Sequence, residues 1–287
     1  MPIKTILNNA HKLFAKHKID SAILDAELLL IFVINKPREF IYTHPEYELS
    51  PYQIQKFNAL VKKRCQHIPI AYLTHSQEFF GFNFWLNKNV LIPRPESEIL
   101  VEQTILLVKK YYKNKPIALA DIGTGSGCLT ISLAKNISDC KIHATDISKK
   151  AIYIARKNSA SNHVKSKIIF HLGNLLTPIK NKKCDIIVAN LPYVPSGYSK
   201  KLNFYYNQGL KFEPSSALYS GPDGLKLYRS FFAQIKNLKY KPRFILIEID
   251  PSQIKRLKII IAKNIPDAEI KIIRDLNRKN RFLQINL

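Results

Sequence analysis

The sequence predicts an α/β protein: a doubly wound, largely parallel sheet preceded by a small helical domain and a β-hairpin linker. Three observations carry this reading. From Ile117 onward, short β-branched apolar runs alternate with amphipathic stretches of helical length, the pattern of a sheet covered on both faces. Up to about Ile70, apolar residues instead recur at three- and four-residue steps. Between the two lies an aromatic-rich segment broken by turn residues. The expected boundaries are 1–75 for the helical domain, 76–95 for the linker and 96–287 for the sheet domain.

In the helical domain, Ile6, Leu13 and Phe14 mark one apolar face, and Leu24, Leu28, Leu29 and Phe32 another. Ser50-Pro51-Tyr52-Gln53 reads as a helix start, with Ser50 as N-cap, Pro51 at the first helical position and Gln53 completing a capping box. The helix it opens carries Ile54, Phe57, Leu60 and Val61 on one side. The linker, "EFFGFNFWLNKNVLI" from Glu78 to Ile92, predicts two short strands with turns at Gly81 and at Asn87–Asn89. "PRPESE" follows, with Pro95 in the first turn of a helix through Ile99, Val101 and Leu106. Strands are expected at 117–121, 141–146, 167–172, 184–189, 243–249, 268–273 and 281–286, and helices at 126–136, 148–161, 223–238 and 251–263.

The 287 residues are enough for a sizeable core, and 46% hydrophobic with 23% charged residues describes a globular chain. The longest apolar run, Leu28 to Ile34, is far too short to span a bilayer, and the N-terminus has no signal-peptide pattern. Cys65, Cys128, Cys140 and Cys184 are scattered without a C-x-x-C pair, which suits reduced thiols in a cytoplasm. The eight histidines show no ligand spacing, so no metal site is expected. Net charge is +24, enough to raise the question of a nucleic-acid partner. The charges are dispersed, at Lys109-Lys110, Lys180–Lys183, Lys200-Lys201, Lys255-Arg256 and Arg278–Arg281, and no segment alternates basic and aromatic residues. A solvated lysine-rich surface is therefore preferred over direct nucleic-acid binding.

Doubly wound sheets bind ligands at the carboxyl ends of their strands, and three segments there carry chemistry. "ALADIGTGSGCLTISLA" is a strand, a glycine-rich turn and a helix. Gly123, Thr124, Gly125, Ser126 and Gly127 place glycine at every second position, which is not the G-x-G-x-x-G of dinucleotide sites. Asp121 just before the turn would repel a pyrophosphate but suits a cation, as in S-adenosylmethionine (SAM) with its sulfonium and amino groups. Asp146, ending the second strand, can accept both ribose hydroxyls, a position that serves NAD equally and so does not discriminate by itself. Asn174 and Leu175, after the third, suit the edge and face of an adenine. Together these predict a Rossmann-like, SAM-dependent methyltransferase sheet. Singly, Asp146 could cap the helix near Ser148, and Asn174 could simply make a turn.

The third segment is "DIIVANLPYVP". Ile186, Ile187 and Val188 form a buried strand that must stop near Asn190, because Pro192 cannot donate a ladder hydrogen bond. The Asn190 side chain and the Leu191 carbonyl supply two acceptors, Pro192 holds Leu191 extended, and Tyr193 supplies a flat ring. Two acceptors and a stacking face suit a planar NH₂ group. Asn190, which also adjoins the cofactor, Pro192 and Tyr193 are the expected catalytic residues, and Asn190 to Tyr193 the substrate site. Adenine amines and glutamine amides are both planar, so the tetrad alone leaves the substrate open.

From end to end the chain resembles the HemK/PrmC family, methyltransferases acting on the glutamine of peptide chain release factors. The matching segments are "SAILDAELLL", "PIAYLTHSQEFFGFNFWLNKNVLIPRPESEILVE", "DIGTGSGCLTISLA", "FEPSSALYSGPDGL" and "FILIEID". The resemblance implies an N-terminal domain that docks the release factor and a catalytic domain that receives the glutamine of its Gly-Gly-Gln loop. By position, it implies that Gly123 to Gly127 hold the methionine part of SAM, Asp146 the ribose, Leu175 the adenine, and Asn190 to Tyr193 the glutamine. Leu191 replaces the first proline of the family's usual Asn-Pro-Pro-Tyr, and Asn174 stands where an acidic residue is common. Two alternatives are an adenine-N6 methyltransferase of ribosomal RNA, some of which share the Asn-Leu-Pro-Tyr spelling, and a non-catalytic SAM-binding adaptor.

Overall fold

The computed structural model describes residues 1–113, 115–197 and 209–287; the Lys200-Lys201 pair lies outside them. The chain forms two compact units, one of Met1–Ser76 with a segment ending at Phe212, and one comprising the remainder from Gln77.

The first unit contains α1 (Ile3–Lys16), α2 (Ala22–Ile34), α3 (Arg38–Thr43), α4 (Pro51–Arg64) and α5 (Ile70–Thr74). Ser50 opens α4 with the expected reciprocal cap: Gln53 N–H donates to Ser50 Oγ at 3.2 Å, and Ser50 N–H donates to Gln53 Oε1 at 2.9 Å. The core gathers Ile3, Phe14, Leu29, Leu30, Phe57 and Val61. The face expected of α2 is corrected here. Leu24 is exposed, as is Leu13 of α1, while Ala26, Leu29, Leu30 and Val33 are buried. Because α2 is apolar nearly all round, period alone cannot fix its rotation. Its buried acids accompany the chosen one: Asp25 accepts from Arg64 Nε at 2.6 Å, and Glu27 accepts from Arg38 Nη2 at 2.7 Å.

The hairpin of β1 (Ser76–Phe79) and β2 (Phe82–Trp85) lies in the second unit from Gln77 onward, followed by α6 (Glu98–Tyr111), in which Val101 is buried but Leu106 faces outward. The sheet follows: β3 (Ile117–Ile122), α7 (Cys128–Asn136), β4 (Cys140–Asp146), α8 (Lys149–Ser161), β5 (Ile168–Leu172), β6 (Ile186–Ala189), α9 (Lys226–Lys236), β7 (Phe244–Glu248), α10 (Ile254–Asn264), β8 (Glu269–Arg274) and β9 (Asn280–Asn286). Strand order is β5-β4-β3-β6-β7-β9-β8, parallel from β5 through β7 and antiparallel on both sides of β9. The chain winds outward from β3 in one direction and from β6 in the other, so the switch point lies between these neighbours. All four residues of β6 are buried, as a central strand requires. Tyr228, Phe231, Phe232 and Ile235 of α9 form a fully buried stripe that covers β6 and β7 in one core with Ile187 and Ile245.

Candidate active site

At the carboxyl ends of β3, β4 and β6 lies a cavity of about 450 Å³, inside the usual small-molecule range of roughly 300–1,000 Å³. Gly123, Gly125, Asp146, Leu175, Asn190, Leu191 and Pro192 all line it. Pro214, Ser216, Tyr219 and Gly221, within the "FEPSSALYSGPDGL" segment, line it as well.

The glycine turn divides between two tasks. Gly123 and Gly125 have φ of +76° and +55° and face the cavity; a Cβ at Gly123 would stand 3.1 Å from Leu191 Cδ2. Thr124, Ser126 and Gly127, expected beside the cofactor, are not on the cavity wall. The Thr124 hydroxyl donates to Asp121 Oδ2 at 2.7 Å, and the Ser126 carbonyl accepts from Asn158 Nδ2 at 2.9 Å. Gly127 heads α7 with φ +84°, where a Cβ would come within 3.1 Å of Ala155 and Ile131. These three hold the turn from behind.

Asp146 ties the turn to the next loop. Its Oδ2 accepts from Gly125 N–H at 2.9 Å and its Oδ1 from Ser148 N–H at 2.8 Å. Burial pushes its pKa up, and those N–H donors pull it partly back. Ser148, not Asp146, caps α8, accepting from Ala151 N–H at 3.2 Å. Asp121 lies fully buried beneath the turn rather than on the cavity wall; burial raises its carboxyl to about 6, and its Oδ1 has no partner. On the cavity wall itself, Gly123 and Gly125 at positive φ let a ligand approach the backbone closely, beside the Asp146 carboxylate. The donor set therefore fits SAM.

At the end of β6, the Asn190 amide nitrogen donates to Ser97 Oγ and to Glu248 Oε2, both at 2.9 Å. Ser97 Oγ itself donates to the same Glu248 oxygen at 2.5 Å. The Tyr193 hydroxyl donates to Glu248 Oε1 at 3.2 Å, and its carbonyl accepts from Gln253 Nε2 at 2.8 Å. Tyr193 packs against the core and is not on the cavity wall, and burial pushes its phenol well above the ordinary value. Leu191 is buried and reaches the cavity, where its side chain rests against the glycine turn.

Besides Ser97, two residues at this site escaped sequence reasoning. Glu248 is buried; desolvation raises its pKa, while Ser97, Arg281 and Tyr193 lower it. Its signal was a carboxylate closing the otherwise apolar strand "FILIE". Asn158 is buried in α8 and clamps the hairpin to the glycine turn: it accepts from Trp85 N–H at 2.8 Å and donates to the carbonyls of Trp85 and Ser126 at 3.1 and 2.9 Å. Among the described residues there is no group of three or more His, Cys, Asp or Glu able to hold a metal, and no helix long and apolar enough to cross a membrane.

A switch-point cavity, a glycine turn and a carboxylate ending β4 define a Rossmann-like nucleotide-cofactor site, and the relatives make it that of a SAM-dependent methyltransferase. Residues 5–74 match the PrmC N-terminal domain, and residues 102–192 match Ribosomal protein L11 methyltransferase (PrmA). The hMettl16 catalytic domain in complex with a MAT2A 3'UTR hairpin superposes with a TM-score of 0.56 at 17% identity, covering 72% of this chain and 76% of that one, a likeness of fold alone. The release factor glutamine methyltransferase of Dictyoglomus turgidum is 34% identical over 99% of this chain and 98% of its own. That of Bacillus cereus is 30% identical over 90% of each. The protein belongs to the HemK/PrmC family of release factor glutamine methyltransferases.

Proposed function

We propose that the protein transfers the methyl group of SAM to the side-chain amide nitrogen of the glutamine in the Gly-Gly-Gln loop of peptide chain release factors, in the cytoplasm. The observation that carries this reading is the anchoring of Asn190. Its NH₂ is consumed by Ser97 and Glu248, so its carbonyl oxygen is the atom left to accept from an incoming NH₂ group. The Leu191 carbonyl is the second acceptor, and Pro192 stiffens the chain between them and Tyr193. Gly123, Gly125, Asp146 and Leu175 would hold SAM, with Asp146 on the ribose and Leu175 against the adenine. Thr124, Ser126 and Gly127 support that turn.

When bound, SAM supplies the electrophilic methyl carbon. The chain's own contribution is orientation, which can be worth on the order of 7–11 kcal/mol of barrier. Two acceptors fix both amide hydrogens and direct the nitrogen lone pair, and no strong general base is needed. The helical N-terminal unit is assigned to docking the release factor. The Asn-Leu-Pro-Tyr spelling and the net charge of +24 are what favour ribosomal RNA as substrate. Incubation with methyl-labelled SAM and either a release factor or ribosomal RNA separates the readings. Label on the glutamine of the release factor supports the proposal; label on adenine alone, or on neither, defeats it.

A further inference from the structure

We infer that Glu248 is a positioning residue: it fixes which end of the Asn190 amide faces the substrate. The inference rests on the reading of Asn190 as the acceptor for the substrate NH₂. An asparagine side chain presents an oxygen on one side and a nitrogen on the other, and rotation by half a turn exchanges them. With the oxygen toward the substrate, Asn190 accepts an N–H; with the nitrogen there, two donors collide. Something must choose between these states.

The hydrogen-bond triangle at the ends of β6 and β7 makes that choice. Glu248 Oε2 receives the Ser97 hydroxyl proton at 2.5 Å, which leaves Ser97 Oγ able only to accept from Asn190. Glu248 Oε2 accepts from the same amide nitrogen at 2.9 Å. Both neighbours of Asn190 are thus acceptors, and the nitrogen is the only end that satisfies them. The carboxylate is set in its turn. Its Oε1 accepts from Tyr193, its backbone carbonyl accepts from the Tyr228 hydroxyl, and Arg281, held by Asp275 at 3.2 Å, lies near enough to favour its charge. Register places Glu248 opposite Phe282 of β9, one residue from Arg281. Pairing of β6 with β7 aligns Ala189 with Ile247, so Asn190 and Glu248 are the next residues along each strand.

The test is a polarity swap. Glu248→Gln keeps shape but offers Asn190 either an oxygen or an NH₂, so the amide loses its preferred direction. Single-turnover methylation of a release factor should slow by at least ~10-fold, with SAM affinity unchanged. Asn190→Asp should slow it at least as far, because two carboxylates then face each other. In the double variant, the amide NH₂ introduced on β7 donates to one oxygen of the carboxylate introduced after β6, and the other oxygen is again an acceptor toward substrate. It should run at least ~10-fold faster than the Asn190→Asp single variant. Wild-type rate in a folded Glu248→Gln protein, or losses that simply multiply in the double variant, would overturn the inference. Failure of the wild type itself to methylate a release factor would instead sink the reading of the site on which it rests.

Discussion

Replacing Asp146 by alanine separates the cofactor side of the site from the substrate side. In the wild type the carboxylate accepts from Gly125 N–H at 2.9 Å and from Ser148 N–H at 2.8 Å, and each oxygen keeps a further lone pair for a ribose hydroxyl. Alanine removes the proposed ribose acceptors and releases Gly125, a wall residue of the cavity. A hydrogen bond to a charged group contributes about 1.5–3 kcal/mol net. Part of that loss is recovered because water reaches both partners, so SAM affinity should fall by about 1–3 kcal/mol, roughly 5- to 150-fold. Asp146→Asn sets its NH₂ against one of those two N–H donors, so it should also lose affinity. Because burial raises the Asp146 pKa, affinity in the wild type should weaken on acidification at a pH above the ordinary carboxylate range; the alanine variant should lose the Asp146 share of that limb and keep the share of Asp121, whose carboxyl is raised to about 6. Titration calorimetry with SAM measures all three. Wild-type affinity in folded Asp146→Ala, at every pH, would remove Asp146 from the cofactor pocket.

Two further variants probe the scaffold. Asn158→Leu fits the volume but removes three hydrogen bonds, to the Trp85 N–H and to the carbonyls of Trp85 and Ser126, so it should cost roughly 2–3 kcal/mol of stability and weaken SAM binding through the released turn. An unchanged Tm would show that the clamp carries no energy. His143 and His171 share a 3.0 Å contact between Nδ1 and Nε2, and burial, with the positive charge of Lys141 and Lys182 beyond, lowers the His143 pKa to about 4. Its folded pKa lies below the ordinary 6.5, so this stability is full above about pH 6.5 and drains as pH falls toward 4; His143→Gln should flatten the acid side of a Tm–pH curve, and an identical slope would count against the pair.

The parts of the site that were legible in the sequence are those whose chemistry is local. The glycine turn announces itself because positive φ demands glycine, and the end of β6 announces itself because Pro192 stops the ladder. Strand order was not written in any one segment. Glu248 matters only because β7 is the neighbour of β6, which sets two residues 58 positions apart at one triangle. Asn158 likewise reads as an ordinary helix residue until the hairpin, 73 positions earlier, arrives on it. Local pattern also failed to say which residues of the turn face inward: Ser126 and Gly127 are set by packing against α8, an element reached only after another strand. The face of α2 went wrong for a similar reason, since Asp25 and Glu27 pair with Arg64 and Arg38 outside that helix.

The central claim is that the chain catalyses methyl transfer by orienting an NH₂ group with Asn190. The most direct measurement is single-turnover methylation of a release factor by Asn190→Ala, alongside its SAM affinity. Loss of one of two acceptors leaves the nitrogen free to swing, and a misplacement of about 1 Å can cost ~10²-fold in rate. The account predicts a fall of at least that size with SAM binding intact. A wild-type rate would contradict it outright; a loss of rate that merely tracks a loss of SAM affinity would move Asn190 into the cofactor pocket and take the substrate amide away from it.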